Sequence, residues 1–227
     1  MKNIRPFFSK PIIAWPIQTA LDSGLFDEVI VSTDNSEIAR IATEYGANTP
    51  FIRPPELSDD FTGVNEVVRH SIDWVSNNLG QAEYVCCIFA TAAFVTKDHL
   101  HDGYQLLVSS KKSYAFTVTR FEYPIQRAIT IRDNKVATYD PELFNNRSQD
   151  LEETYHDAGQ FYWGTAEAFI NRVEIFSTES VPIILPRYLA HDIDTVEDWK
   201  TAESFRVSHL TAPQDIVDQQ QTARTKK

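Results

Sequence analysis

Two aspartates one residue apart, Asp192 and Asp194, stand in the run His191-Asp192-Ile193-Asp194-Thr195, just before a segment of helical periodicity. In an extended stretch, residues two apart project to the same side, so both carboxylates face one way. Such a pair repels itself unless positive charge lies between, and hard oxygen donors suit Mg²⁺. The structural alternative is that Asp194 or Thr195 caps the helix while Asp192 is solvated. A second polar cluster, Val31-Ser32-Thr33-Asp34, falls where an apolar strand ends, the place where ligands of open α/β sheets bind. A plain helix cap is the simpler local reading of it. Arg53, braced by Pro54 and Pro55, can grip a phosphate or a base edge with its guanidinium, or pair with Glu56 or Asp59.

Later in the chain, Arg147-Ser148-Gln149-Asp150 and residues 155–163 (Tyr-His-Asp-Ala-Gly-Gln-Phe-Tyr-Trp) are dense in hydrogen-bonding and aromatic groups. Sugar sites combine an aromatic wall with a few placed polar groups, and a carboxylate wants an arginine. The competing reading is a buried aromatic strand with capped ends. His156 by itself carries little weight. The sequence has no Ser–His–Asp order, nucleophilic cysteine or Walker loop.

The scaffold for these groups is a chain of 227 residues, within the range of one large domain, with 42% apolar and 12% aromatic residues to build a core. Its 21 basic and 32 acidic side chains leave a formal charge of −11. That balance argues against a broad nucleic-acid face, which needs clustered Lys and Arg. A nucleotide can still bind if a divalent cation and local donors offset the like charges. Cys86 and Cys87 are neighbours pointing to opposite faces of a strand, poor disulfide partners, and read as buried thiols of a reducing cytoplasm. The apolar run after Lys2, Arg5 and Lys10 is short and broken by Pro11 and Pro16, so neither a signal peptide nor a membrane span is expected.

Strand and helix alternate through the first half. Pro11 suits a helix start, although Pro16 requires that helix to kink or begin later. Residues 28–34 form a strand, and Asn35 or Ser36 caps a helix closed by Gly46. A helix over 62–78, a strand over 84–89, a helix capped by Thr96 and a strand over 114–119 follow. This predicts an α/β fold: a mostly parallel sheet with helices on both faces. Asp133-Asn134 joins a small hairpin, residues 140–159 form an irregular loop, and strands over 160–164 and 181–185 flank a helix starting near Thr165. Thr195 caps the last helix. The domain is expected over residues 1–210, with a polar tail over 211–227.

Several of these segments together carry a resemblance. Lys2-Asn3-Ile4, Lys10-Pro11, residues 26–34 and residues 53–60 resemble the cytidylyltransferases that activate sugar acids, the CMP-sialic acid synthetase family. Residues 147–153, 155–164 and 192–195 are similar to its pseudaminic acid branch. The likeness runs in order from Lys2 to about Glu203. It implies a nucleotide-diphospho-sugar transferase-like fold and a homodimer in which a projecting second-half element completes the partner's site. The implied reaction is attack of the anomeric hydroxyl of a nine-carbon acidic sugar on the α-phosphorus of CTP, with Mg²⁺ as cofactor and pyrophosphate leaving. By position, Asn3 and Arg53 would contact the nucleotide, and Asp192 and Asp194 would hold the metal at the catalytic centre. Arg147, Gln149 and Tyr162 would face the sugar, with Phe89 as a wall. Phe89 stands where sialic acid relatives tend to carry glutamine, which favours a more apolar substrate edge. No residue stands out as a general base, so metal-assisted deprotonation is expected. Family members begin with a strand and a Gly-, Ser-, Arg- and Lys-rich phosphate-binding loop ahead of the Lys-Asn pair. Its absence from this chain leads to the expectation that the chain is inactive or severely impaired. The alternatives are another acidic sugar (sialic, legionaminic or Kdo-type) or a non-catalytic homologue.

Overall fold

The computed structural model describes residues 1–211. A short hairpin of β1 (Pro6–Phe7) and β2 (Lys10–Pro11) leads into α1 (Ala14–Ser23), followed by α2 (Ser36–Glu44) and α3 (Val64–Asn78). Next come β3 (Tyr84–Ile88), α4 (Lys97–Ser110) and β4 (Tyr114–Arg120), then a hairpin of β5 (Ile129–Arg132) and β6 (Lys135–Thr138). The chain continues through β7 (Tyr155–Thr165), α5 (Ala166–Ile170), β8 (Ser180–Leu185) and α6 (Val196–Thr211). Beyond Thr211 the expected tail lies outside the described residues.

The central sheet has the order β3-β7-β4-β8. β4 and β8 are parallel, while β7 runs antiparallel to both β3 and β4. Three strands therefore share one direction. Their carboxyl ends meet the start of β7 at one edge, where Thr119 lies opposite both His156 and Leu185. That edge is where an open α/β sheet leaves room for a ligand.

Helices cover both faces, as predicted. Val68 and Ile72 of α3 and Phe169 of α5 pack on Tyr114, Phe116 and Tyr162. On the other face, Leu100 and Leu107 of α4 pack on Ala115, Phe161 and Trp163. Alternate residues of β4 and β7 divide between the two clusters, as a pleated strand requires. Cys86 and Cys87 divide in the same way and are free thiols. Burial pushes the Cys87 thiol up to about 12 and Cys86 well above its usual value. Among the described residues, no helix is long and apolar enough to cross a membrane.

Several local expectations are corrected. Pro11 belongs to β2, opposite Pro6, and not to a helix start. Helix α1 begins at Ala14, which places Pro16 in the first turn, where a missing N–H costs no intrahelical bond. Residues 28–34 make only one parallel bridge, Ile30 to Asn48. Val31 N donates to Asn48 O at 2.9 Å and Asn48 N to Val29 O at 2.7 Å, but the next donor in that register would be Pro50, which has no N–H. The irregular loop over 140–159 is shorter than expected, because β7 starts at Tyr155. Its early part escapes recognition because the β4 pairing jumps from Tyr162 to Asp157, an irregularity that contains Gly159 at φ 60°.

Candidate functional site at the carboxyl edge of the sheet

The aspartate segment is fixed from both sides. Ile193 is fully buried among Phe7, Ile12, Phe94 and Trp199, which turns Asp192 and Asp194 outward. Thr195 and Asp198 then start α6 reciprocally: Asp198 N donates to Thr195 Oγ1 at 3.1 Å, and Thr195 N donates to Asp198 Oδ2 at 2.7 Å. The capping alternative thus applies to Thr195. Asp194 is left to pair with Lys2, whose Nζ lies 2.7 Å from Oδ1.

Asp192 faces the irregular stretch of β7. A Cβ placed on Gly159 would sit 3.8 Å from Asp192 Cγ. Desolvation, followed by the Asp194 charge, holds the Asp192 carboxyl above its ordinary value, with Asp157 and Asp198 adding in the same sense and Lys2 opposing. Asp157 accepts from Gly159 N at 3.0 Å and from the Tyr162 hydroxyl. Burial first, then that bond, pushes the Tyr162 phenol up. The Tyr162 ring meets Phe89 edge to face, with centroids 5.3 Å apart, and Phe89 N donates to Gln160 O at 3.0 Å. Phe89, Tyr162, Asp192 and Asp194 therefore form one continuous neighbourhood.

Gln160 ties this neighbourhood together. It is 1% exposed, and its amide nitrogen donates to Ala158 O at 3.0 Å and to His191 O at 3.2 Å. Its Oε1 finds no protein partner among the described residues. The irregular stretch is filled from β4 by Thr117, whose Oγ1 donates to Phe161 O at 3.3 Å and accepts from Phe161 N at 3.3 Å.

The remaining predicted residues lie elsewhere. Asn3 sits in a 3₁₀ turn, where its carbonyl accepts from Ile13 N at 3.1 Å. Arg53 is bound to the 31–34 run: its N–H donates to Thr33 O at 2.8 Å, Nη1 to Ser32 O at 3.4 Å, and Nη2 lies 3.8 Å from Asp34. Its acidic neighbour is therefore Asp34, whereas the sequence offered Glu56 or Asp59. Nε donates to Ser58 Oγ at 3.0 Å and braces the proline loop. Arg147 spends its fork on Asp150, at 2.7 and 3.2 Å, and Gln149 is exposed on the same short turn. Among the described residues, neither bonds to Tyr162 or to the aspartate pair.

Asp157, Gln160 and Lys2 were given no role by sequence reasoning. A glutamine within an aromatic strand, one residue after a glycine, is the signal that could have revealed the first two.

Among the described residues, no three His, Cys, Asp or Glu side chains gather as a ready metal cage. The two-carboxylate set nevertheless fits Mg²⁺, which is commonly held by one or two carboxylates together with substrate phosphates.

Comparison with known proteins adds three findings. Residues 1–221 match the family model described as Cytidylyltransferase. The chain is 41% identical over 213 residues to a pseudaminic acid cytidylyltransferase of Campylobacter jejuni, covering 93% of this chain and 92% of that one. It is 29% identical over 212 residues to a CMP-N,N'-diacetyllegionaminic acid synthase of Legionella pneumophila, covering 90% and 88%. Among solved structures, a CMP:2-keto-3-deoxy-manno-octonic acid synthetase complexed with CTP superposes with a TM-score of 0.65 over 92% of each chain. At 12% identity that likeness is one of fold.

Proposed function

Because the chain belongs to the cytidylyltransferase family, we propose that it transfers CMP from CTP to the anomeric hydroxyl of pseudaminic acid, with pyrophosphate leaving. The observation that carries the choice of sugar is the 41% identity, over nearly the whole of both chains, to a pseudaminic acid cytidylyltransferase.

The site residues take roles that their surroundings support. Asp192 and Asp194 would hold Mg²⁺, which when bound neutralises phosphate charge and polarises the phosphorus under attack. Asn3 and Arg53 contact the nucleotide, with Arg53 already oriented by Ser58 and the carbonyl of Ser32. Tyr162 presents a phenol oriented by Asp157 beside the Phe89 wall, suited to a sugar with both polar and deoxy edges. Arg147 and Gln149 complete the sugar site across a homodimer. The exposed apolar side chains of Ile129, Ile131 and Val136 on the β5–β6 hairpin support that pairing. Phosphoryl transfer of this kind depends on alignment and charge compensation, with little covalent chemistry for the protein to perform.

The test is to incubate the chain with CTP, Mg²⁺ and pseudaminic acid, following pyrophosphate release and the mass of the nucleotide sugar. CMP-pseudaminate should form with a kcat/KM about 10- to 200-fold above that for N-acetylneuraminic acid or Kdo. Equal use of those acids would remove the sugar assignment, and no CMP-sugar from any acid would remove the transferase reading. Replacing Asp194 with Asn should abolish metal-dependent turnover; unchanged activity would remove the metal assignment.

A further inference from the structure

The segment carrying Asp192 and Asp194, residues 191–194, belongs to neither helix nor strand. Its position must come from individual anchors. On the helix side, the buried Ile193 docks among Phe7, Phe94 and Trp199. Toward the sheet, the Gln160 amide donates to His191 O at 3.2 Å. Asp192 lies between these two anchors in sequence.

The same amide also holds Ala158 O at 3.0 Å, the residue before Gly159, which approaches Asp192. One side chain therefore ties two facing segments together: the irregular stretch of β7 and the aspartate segment opposite. The orientation of the amide follows from its surroundings. Turning it over would set Oε1 against carbonyl oxygens, which repel it, so the nitrogen must face them. A methionine would fill the same volume and remove the unpartnered Oε1, but it would take the donor away from Ala158 O and His191 O, so the glutamine contributes a polar tie that packing alone does not supply.

We infer that Gln160 is a positioning residue for the carboxylate pair, acting through the His191 carbonyl to hold Asp192 and Asp194 in register with the carboxyl edge of the sheet. This rests on the metal-binding reading of those two aspartates. Groups behind a metal's ligands set its affinity by fixing their geometry, and their removal commonly costs 10–100-fold.

The experiment compares Gln160→Met, Gln160→Asn and Asp194→Asn with the unaltered chain. Mn²⁺ serves as the probe, its binding in the presence of CTP read by electron paramagnetic resonance, with circular dichroism confirming the fold. Met retains the volume, while Asn retains the amide but is too short to reach His191. In whichever of the two remains folded, the Mn²⁺ dissociation constant should rise about tenfold, while kcat at saturating Mg²⁺ stays within about threefold. In an Asp192→Asn background, the Gln160 change should weaken binding by less than about twofold. Unchanged Mn²⁺ binding in the Gln160 variants, with binding lost in Asp194→Asn, would overturn this inference alone. Unchanged binding in Asp194→Asn would overturn the metal reading and this inference with it.

Discussion

At the scale of single residues, the site is built from like charges held apart by donors. Asp157, Asp192, Asp194 and Asp198 lie close enough that three of them raise the carboxyl of Asp192. Each of those three has a donor of its own: the Tyr162 hydroxyl for Asp157, Lys2 for Asp194 and Thr195 for Asp198. Tyr162 is the most exposed to test, because its ring and its hydroxyl do separable things. Tyr162→Phe keeps the edge-to-face contacts with Phe89 and Phe116 but removes the donor to Asp157. The fold should persist. The KM for the sugar acid should rise about tenfold, because the phenol oxygen that Asp157 orients is then lost to the sugar as a hydrogen-bond acceptor. The KM for CTP should move less than about twofold, and steady-state kinetics on both substrates separates the two. An equal rise in both would show that the phenol does not act on the sugar side.

At the scale of elements, the start of α6 governs how firmly the aspartates are presented. Asp198 sits in the first turn and accepts from Thr195 N, Thr195 Oγ1 and Asp194 N, and the Thr195 side-chain bond leads in holding its carboxyl below the usual value. The sign follows directly. A carboxyl depressed in the folded state adds stability that is complete above its unfolded value and is lost as pH falls through the folded one. Acid should therefore loosen this helix start before it unfolds the sheet, visible as early loss of amide protection over residues 194–199 in hydrogen exchange. Thr195→Ala removes the reciprocal cap and should cost about 1 kcal/mol, or about 2–4 °C in melting temperature for a chain of this size. A change below about 0.3 kcal/mol would mean that Ile193 alone secures the segment.

For the whole molecule, the two-faced sheet sets how much variation the site can tolerate beneath it. Gly164 ends the inner run of β7, and a Cβ there would meet Tyr114 Cδ1 at 2.6 Å and Phe169 Cε2 at 2.7 Å. Those rings are 0% and 1% exposed and cannot swing aside. Gly164→Ala should destabilise the protein by about 1–3 kcal/mol in urea unfolding while leaving both KM values unchanged in the folded fraction. Neutral stability would mean that β7 shifts freely between its neighbours, and the alignment of Asp157 and Gln160 with the aspartate pair would then need another source.

Much of this was legible in the residues alone. Helix caps at Asn35, Thr96 and Thr195 and the Asp133-Asn134 turn are local in origin, since a side chain within a few positions satisfies a backbone group. The apolar runs at 84–88 and 114–120 and the aspartate pair ahead of α6 are local signals of the same kind. What sequence could not settle were relations between distant segments. That Arg53 answers to Asp34, that Lys2 reaches Asp194, and that Gln160 spans to His191 depend on contacts 19, 192 and 31 positions apart in the chain. The reversed direction of β7 belongs with them. Periodicity reports which face of a strand is apolar but carries no information on which neighbour it pairs with or in what sense. Those choices were made only when the two sides of the core closed on each other.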